Sequence, residues 1–344
     1  MGYRHLVTGG SGFLGNLISK RLIKENQKVK ILDIWDSPDR SKNIEFYNCD
    51  IRDRNKIGEI LKDIDIVHHN VALVPLTKSG KEFHSVNVIG TKILAEESIK
   101  AGVKAIVHMS SSAVYGIPKY CPIDYKTPLE PIEIYGRAKL EGENYMREIC
   151  ERANLPLIII RPRTILGKGR LGIFHILFEW INDNRNIYTI GEGKEKFQFL
   201  HANDLIDAYS LILKQEKSGT YNLGAAEFST LRNSLVELID YSKSKSKIKK
   251  LPVGLTIGTL KILDKLKLSP LAPWHYLTYH KPFYFDIEKL TKIGWKPNYS
   301  NKKMLEESYD WYINNKISNL KSNFGSPHRT LIKQGFLKIL KSIS

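Results

Sequence analysis

The nine residues "VTGGSGFLG", Val7 to Gly15, stand between a short apolar run and an amphipathic helical pattern. Glycine at 9, 12 and 15 lets the backbone turn sharply out of a strand and come close to a pyrophosphate. The helix that follows packs on the strand and holds the phosphate charge at its N-terminus. Gly9, Gly12 and Gly15, with Phe13 and Leu14 between the last two, are therefore candidate cofactor-binding residues. The next apolar run, "KVKILD", ends in Asp33, eighteen residues beyond Gly15. A carboxylate there accepts hydrogen bonds from both ribose hydroxyls and repels a 2'-phosphate, so NAD is expected rather than NADP. No Arg or Lys follows it until Arg40.

The same alternation continues along the chain, which predicts a parallel sheet covered on both faces. Strands are expected at 4–7, 28–33, 65–69, 104–110 and 155–161, and helices at 12–25, about 84–101 and 134–153. The last strand, "LPLIIIR", is apolar almost throughout, as a doubly buried strand should be. After Gly167 the alternation weakens and aromatic residues become frequent. The expected class is α/β: a Rossmann-like, doubly wound parallel sheet with a smaller C-terminal substrate domain. The first domain takes residues 1–166 with a return segment at 199–224, the second takes 167–198 and 225–318, and 319–344 form a basic amphipathic tail.

Bulk properties narrow the function. A chain of 344 residues with 42% hydrophobic and 26% charged residues builds a substantial core, and no apolar run is long enough to span a bilayer. The start enters a strand without signal-peptide architecture, so a cytoplasmic location is expected. Three cysteines without metal-ligand spacing indicate neither a disulfide framework nor a metal site. The net charge of +17 favours anionic partners, but the sequence carries no nucleic-acid-binding module.

"EIYGRAK" places Tyr135 and Lys139 four residues apart on one helix face, where an ammonium can favour the ionised phenol. Spacing alone leaves this pair open between a working acid and a solvated helix surface. The GxxGxxG loop, "SSSAVYG" and "YGRAK" together resemble the extended short-chain dehydrogenase/reductase family, which holds sugar-nucleotide epimerases, dehydratases and hydroxysteroid dehydrogenases. The resemblance runs over roughly residues 3–315 and implies an NAD-dependent enzyme. Under it, Tyr135 exchanges a proton with a substrate hydroxyl or carbonyl, Lys139 lowers its pKa and holds the nicotinamide ribose, and Ser111 hydrogen-bonds the reacting oxygen. It also implies Asp50 and Ile51 near the adenine, Asn70 to Ala72 under the cofactor, Asn87 near the nicotinamide, and a homodimer built on the helices at 84–101 and 134–153.

Departures from the family pattern bear on substrate. The Asp-Glu pair of the dehydratases is replaced by Ser112 and Ala113, so dehydration is not expected. Two positions that contact a substrate diphosphate in sugar-nucleotide enzymes carry Thr164 and Phe197 instead of Asn and Arg. Ser112, Thr164 and Phe197 are the candidate substrate residues. Arg161, Arg163, Lys168, Arg170, Lys194 and Lys196 could supply phosphate contacts in another way, but are expected first as surface charges. The leading expectation is epimerase- or dehydrogenase-type chemistry at a secondary alcohol of a phosphorylated, nucleotide- or lipid-linked sugar. The alternatives are a hydroxysteroid-dehydrogenase-like oxidation of an apolar alcohol and, from another class, a non-catalytic NAD sensor or scaffold.

Two stretches mix apolar and lysine residues at helical spacing: "LPVGLTIGTLKILDKLKL" at 251–268, and the end "RTLIKQGFLKILKSIS", where Ile332, Phe336, Ile339, Leu340 and Ile343 fall near one face. Either they pack on the protein or a partner subunit, or they lie in the interface of an anionic membrane, which would place the chain peripherally at its inner face.

Overall fold

A computed structural model describes residues 2–77, 79–170, 172–215, 217–266, 268–269, 271–315 and 335–342. Seven parallel strands form the central sheet: β1 Arg4–Thr8, β2 Lys28–Asp33, β3 Glu45–Asn48, β4 Ile66–His69, β5 Ala105–Met109, β6 Leu157–Pro162 and, later, β10 Gly219–Leu223, in the order β10-β6-β5-β4-β1-β2-β3. The order reverses at β1 and β4, which opens a crevice beyond their C-terminal ends, where the glycine turn leaves β1.

Helices cover both faces: α1 Phe13–Lys24 and α2 Arg54–Leu61; α3 Glu82–His84 running through a π-helical turn into α4 Thr91–Lys100; and α5 Ile134–Arg152. The strand and helix positions expected from the sequence agree with these to within a few residues. Within the sheet and the helices just named, β3, α2 and β10 were not expected as elements, although β10 falls in the expected return segment 199–224. β3 is only four residues, "EFYN", half-exposed at the sheet edge, so it carries no apolar run to announce it.

β6 is buried at all six positions. Its alternate residues serve opposite cores: Ile158 and Ile160 join Val7, Ile31 and Val107 on one face, while Leu157 and Ile159 join Leu6, Leu32 and Val67 on the other. Burial of these two layers stabilises the sheet by roughly 25 cal/mol for each Å² of apolar surface removed from water.

After β6 the chain leaves the sheet. β7 Ile165–Leu166 pairs with β9 Leu200–His201, and β8 Ile187–Ile190 with β11 Ile248–Leu251. Around them lie α6 Phe174–Asn182, α7 Ala202–Gln215, α8 Leu231–Tyr241, α9 Val253–Lys265, α10 Pro273–Thr278, α11 Glu288–Thr291 and α12 Asn301–Asn314. A third core, rich in rings, joins this part to the first: Phe174, Phe178, Trp180, Phe197, Phe199, Trp274, Phe283 and Phe285 cluster with Val88, Val114, Tyr115 and Tyr135.

The last described helix, α13 Leu337–Ser342, lies on the protein. Leu337 and Leu340 pack against that aromatic core, and Lys341 donates to Asp183 at 2.7 Å and to Glu179. Ile332, Ile343 and the Ile339 side chain, which the sequence placed on the same face, lie outside the described residues.

Candidate active site

The crevice is a cleft of about 650 Å³. Its first wall is the glycine turn. Gly9 adopts φ +67°, and a Cβ there would stand 3.0 Å from the Val71 amide, because the exits of β1 and β4 approach so closely. A Cβ on Gly15 would fall 2.1 Å from the Gly9 carbonyl, so only glycine lets α1 seat on the turn. Gly12 is the N-cap of α1 and has no side chain to cap it, which leaves first-turn amides available to an anion. Phe13 and Leu14 line the cleft beside them.

Asp33 stands at the end of β2. Its carboxylate accepts from the Ser11 amide at 3.1 Å and the Ile34 amide at 2.8 Å, while burial pushes its pKa up. Asp50 and Ile51 line the wall beyond β3, with the Asp50 carboxylate gripped by Arg52 and its pKa held down by that guanidinium. Across the cleft, Asn70 donates Nδ2 to the His68 carbonyl at 3.2 Å, and its buried Oδ1 has no protein partner. Ala72 follows it along the wall. Asn87 differs from expectation, since it does not line the cleft. Its Oδ1 accepts from the Leu73 amide at 2.8 Å and its Nδ2 donates to the Leu73 carbonyl at 3.0 Å. A buried amide satisfied at both ends fixes the loop after β4 and acts on the cleft only through it.

Three serines leave β5, and the structure gives each a different partner. Ser110 donates to Glu143 Oε2 at 2.8 Å, Ser112 accepts from Arg163 Nη1 at 3.1 Å, and Ser111 stands by the Tyr135 phenol, where its hydroxyl acts to lower the phenol's pKa. Ser111 Oγ also accepts from the Ala113 amide at 3.1 Å, which holds its rotamer. Tyr135 lies in the first turn of α5, where the N-cap Glu133 accepts from the Tyr135 and Gly136 amides at 2.8 and 2.6 Å. One turn on, Lys139 is 4% exposed and donates to the Met109 carbonyl at 2.8 Å.

Burial pushes the Tyr135 phenol up to about 12, against the Ser111 hydroxyl and the Arg170 charge, which act downward. Burial pulls Lys139 down to about 8. The expected lowering of the phenol by Lys139 is not seen in this geometry, because the ammonium is turned to the strand carbonyl.

The far end of the cleft corrects the expected surface charges. Lys168, Lys194 and Lys196 are exposed. Arg161 is 5% exposed, forked onto Glu143 and bonded to the Tyr115 hydroxyl at 2.8 Å, a structural pair inside the fold. Arg163 is 1% exposed, with Nε on the Gln198 carbonyl at 3.1 Å and its guanidinium 4.0 Å from the Phe283 ring centre and 4.8 Å from that of Phe197. No carboxylate pairs with it among the described residues; its Nη2 has no hydrogen-bond partner, and burial lowers it to about 9. Arg170 donates to the Ile165 carbonyl at 2.9 Å and stands 5.2 Å from the Phe13 ring centre, in the cleft wall. Alternating runs from an apolar strand mask such arginines, since sequence does not show which charges a second layer will cover.

Thr164 lines this end beside Tyr279, whose phenol burial pushes up to about 12 while Thr164 acts downward. Phe197 does not line it; at 1% exposure it lies beneath Arg163, with its ring 4.8 Å from that of Tyr279. In its place, Trp274, His275 and Tyr279 line the cleft. The sequence offered only a general richness in rings as a sign of them.

NAD fits these residues on their own chemistry: uncapped amides at α1 for a pyrophosphate, a fixed carboxylate at Asp33 for a ribose, and an orphaned carbonyl oxygen at Asn70. Among the described residues no group of three His, Cys, Asp or Glu is placed to hold a metal.

The sequence pattern of the NAD dependent epimerase/dehydratase family matches residues 5–224. An uncharacterized protein, y4nG, of Sinorhizobium fredii is 43% identical over 97% of this chain and 85% of its own length. A putative UDP-glucose 4-epimerase of Methanocaldococcus jannaschii is 29% identical over 90% of this chain and 98% of its own. The crystal structure of the UDP-glucose 4-epimerase of Thermotoga maritima with UDP-glucose superposes with a TM-score of 0.75 at 20% identity, covering 91% of this chain and 99% of that one, a likeness of fold. With the glycine turn, Asp33 and the cleft described above, these matches show that the chain belongs to the NAD dependent epimerase/dehydratase family of extended short-chain dehydrogenases/reductases and is an NAD-dependent enzyme.

Proposed function

We propose that the enzyme epimerises a secondary alcohol of an activated sugar, nucleotide- or lipid-linked. The observation that carries this reading is the closed group of Ser111, Tyr135 and Lys139 at the junction of the cofactor and substrate ends of one cleft. NAD, when bound, supplies the site that takes up and returns the hydride. Tyr135 holds the proton that the substrate oxygen gives and receives, and Ser111 orients that oxygen. Lys139, one turn along α5 and bonded to the Met109 carbonyl, would hold the nicotinamide ribose beside that phenol. The relative that is named a putative UDP-glucose 4-epimerase supports an activated hexose. Ser112 and Ala113 offer no acid and base for dehydration; Ser112 is bonded to Arg163. The cations Arg163 and Arg170 favour an anionic sugar derivative over an apolar alcohol. A homodimer on α4 and α5 and a cytoplasmic location belong to the same proposal; light scattering tests the first. No described helix is long and apolar enough to cross a membrane.

The test is to purify the protein without added cofactor, measure bound NAD after denaturation, and follow interconversion of sugar epimers. Tyr135→Phe is expected to lower turnover about a hundred- to ten-thousandfold, the usual contribution of a positioned acid-base group, while bound NAD stays at the wild-type level. Turnover within a few-fold of wild type would sink the assignment and favour a binding protein.

A further inference from the structure

α9 shows an apolar row to solvent. Leu255 is 72% exposed, Ile262 63%, Leu266, just past the helix end, 60%, and Leu268 54%, while Leu260 is the buried residue of the helix. Spaced i, i+7 and i+11, the first three follow one line along the helix surface. Single exposed leucines are ordinary, but four within fourteen residues make a patch of the kind that marks an interaction surface.

The surroundings are basic. From Lys243 to Leu268 the sequence holds eight lysines and one acidic residue, Asp264. Lys261 and Lys265 are exposed on α9 itself, and Lys243, Lys245, Lys247, Lys249 and Lys250 are exposed in the segment that leads into it. Asp264 also acts on Tyr276 of α10 and Lys250 pairs with Glu192 at 3.2 Å, which still leaves this stretch with a surplus of positive charge. An apolar row framed by lysines complements a boundary that is both apolar and anionic, which is the surface of an acidic bilayer. At thirteen residues α9 is about 20 Å long, well short of the roughly 30 Å of a hydrocarbon core, so it would lie along the boundary. α9 also packs on α10, whose Trp274 and His275 line the substrate end of the cleft.

We propose that α9 docks the enzyme on an anionic lipid surface and brings the substrate end of its cleft to that surface, where it takes an activated sugar carried on a lipid. The docking stands without the epimerase reading; the lipid-borne substrate rests on it.

Flotation of the full-length protein, with its NAD, separates the two. Vesicles of phosphatidylcholine alone are compared with vesicles about one-third phosphatidylglycerol, at low and high salt. The wild type is expected to float with the anionic vesicles, less at high salt. Leu255→Glu/Ile262→Glu/Leu266→Glu should lose at least tenfold of the bound fraction while its thermal midpoint, bound NAD and turnover of a soluble nucleotide sugar are unchanged. In the same vesicles, turnover of a sugar diphosphate on a lipid chain should fall with the bound fraction. Docking is overturned if the wild type stays unbound, if the triple variant floats equally well, or if the substitutions instead dissolve a protein dimer without changing flotation. Normal flotation with no turnover of the lipid-borne sugar overturns the substrate half alone.

Discussion

The two ends of the cleft are built in different ways. The cofactor end is made of groups at strand exits: the backbone turn after β1, the Asp33 carboxylate closing β2, and the loop that begins after β4. Each feature lies within a few residues of the strand that sets it. The substrate end is made of side chains drawn from distant segments, Arg163 and Thr164 after β6, Arg170 on the next loop, and Trp274, His275 and Tyr279 more than a hundred residues later. A site built at strand exits is written in short motifs, whereas one built from distant side chains exists only after packing.

Substitutions that break one end and spare the other test this contrast. The largest effect is expected at the turn. Gly15→Ala drives a methyl into the Gly9 carbonyl, and relieving that clash at about 1–3 kcal/mol should weaken NAD binding about ten- to hundredfold, read by calorimetry. Unchanged affinity would show that the turn has room that its geometry denies.

Arg163→Met, which keeps length and removes charge, should raise KM for an anionic sugar substrate about tenfold or more, with bound NAD unchanged. A change in NAD content with no change in KM would place Arg163 with the cofactor end instead.

A smaller effect is expected from Asp33→Asn. It removes the carboxylate that repels a 2'-phosphate and should narrow the preference for NAD over NADP by about tenfold, measured as a ratio of dissociation constants. A preference kept intact would mean that the repulsion comes from elsewhere in the wall.

The mildest test concerns the sheet beneath both ends. His68, His69 and His108 are fully buried, and burial lowers each well below 6.5. Each is neutral in the folded protein and binds a proton in the unfolded chain below that pH. The folded state therefore keeps its full stability above pH 6.5 and loses it as pH falls, by up to about 1.4 kcal/mol per pH unit for each histidine. Denaturant titrations between pH 7.5 and 5 should show this slope. A flat profile would mean that the rings gain protons without unfolding.

Two stretches of nearly the same composition show how far sequence reaches. Residues 251–268 and the C-terminal run both mix leucine, isoleucine and lysine at helical spacing. In the structure α13 turns Leu337 and Leu340 onto the aromatic core and spends Lys341 on Glu179 and Asp183, while α9 leaves its row exposed. Periodicity states that a helix has an apolar face, but not whether another element stands opposite. The arginines teach the same point. Arg161, Arg163 and Lys168 are neighbours of similar charge, yet one is paired in the fold, one is buried without a carboxylate among the described residues, and one is in solvent.

What the sequence alone determined is the doubly wound sheet, the tight glycine turn between β1 and α1, and NAD as the cofactor. All three follow from short-range rules, the alternation of apolar runs, the steric freedom of glycine and the reach of one carboxylate. Tertiary structure decided which of three consecutive serines meets Tyr135, that Phe197 lies under the cleft rather than in it, and that Asn87 holds a loop. Those outcomes depend on contacts between residues far apart in the chain, where burial, and not local spacing, sets the partner of each polar group.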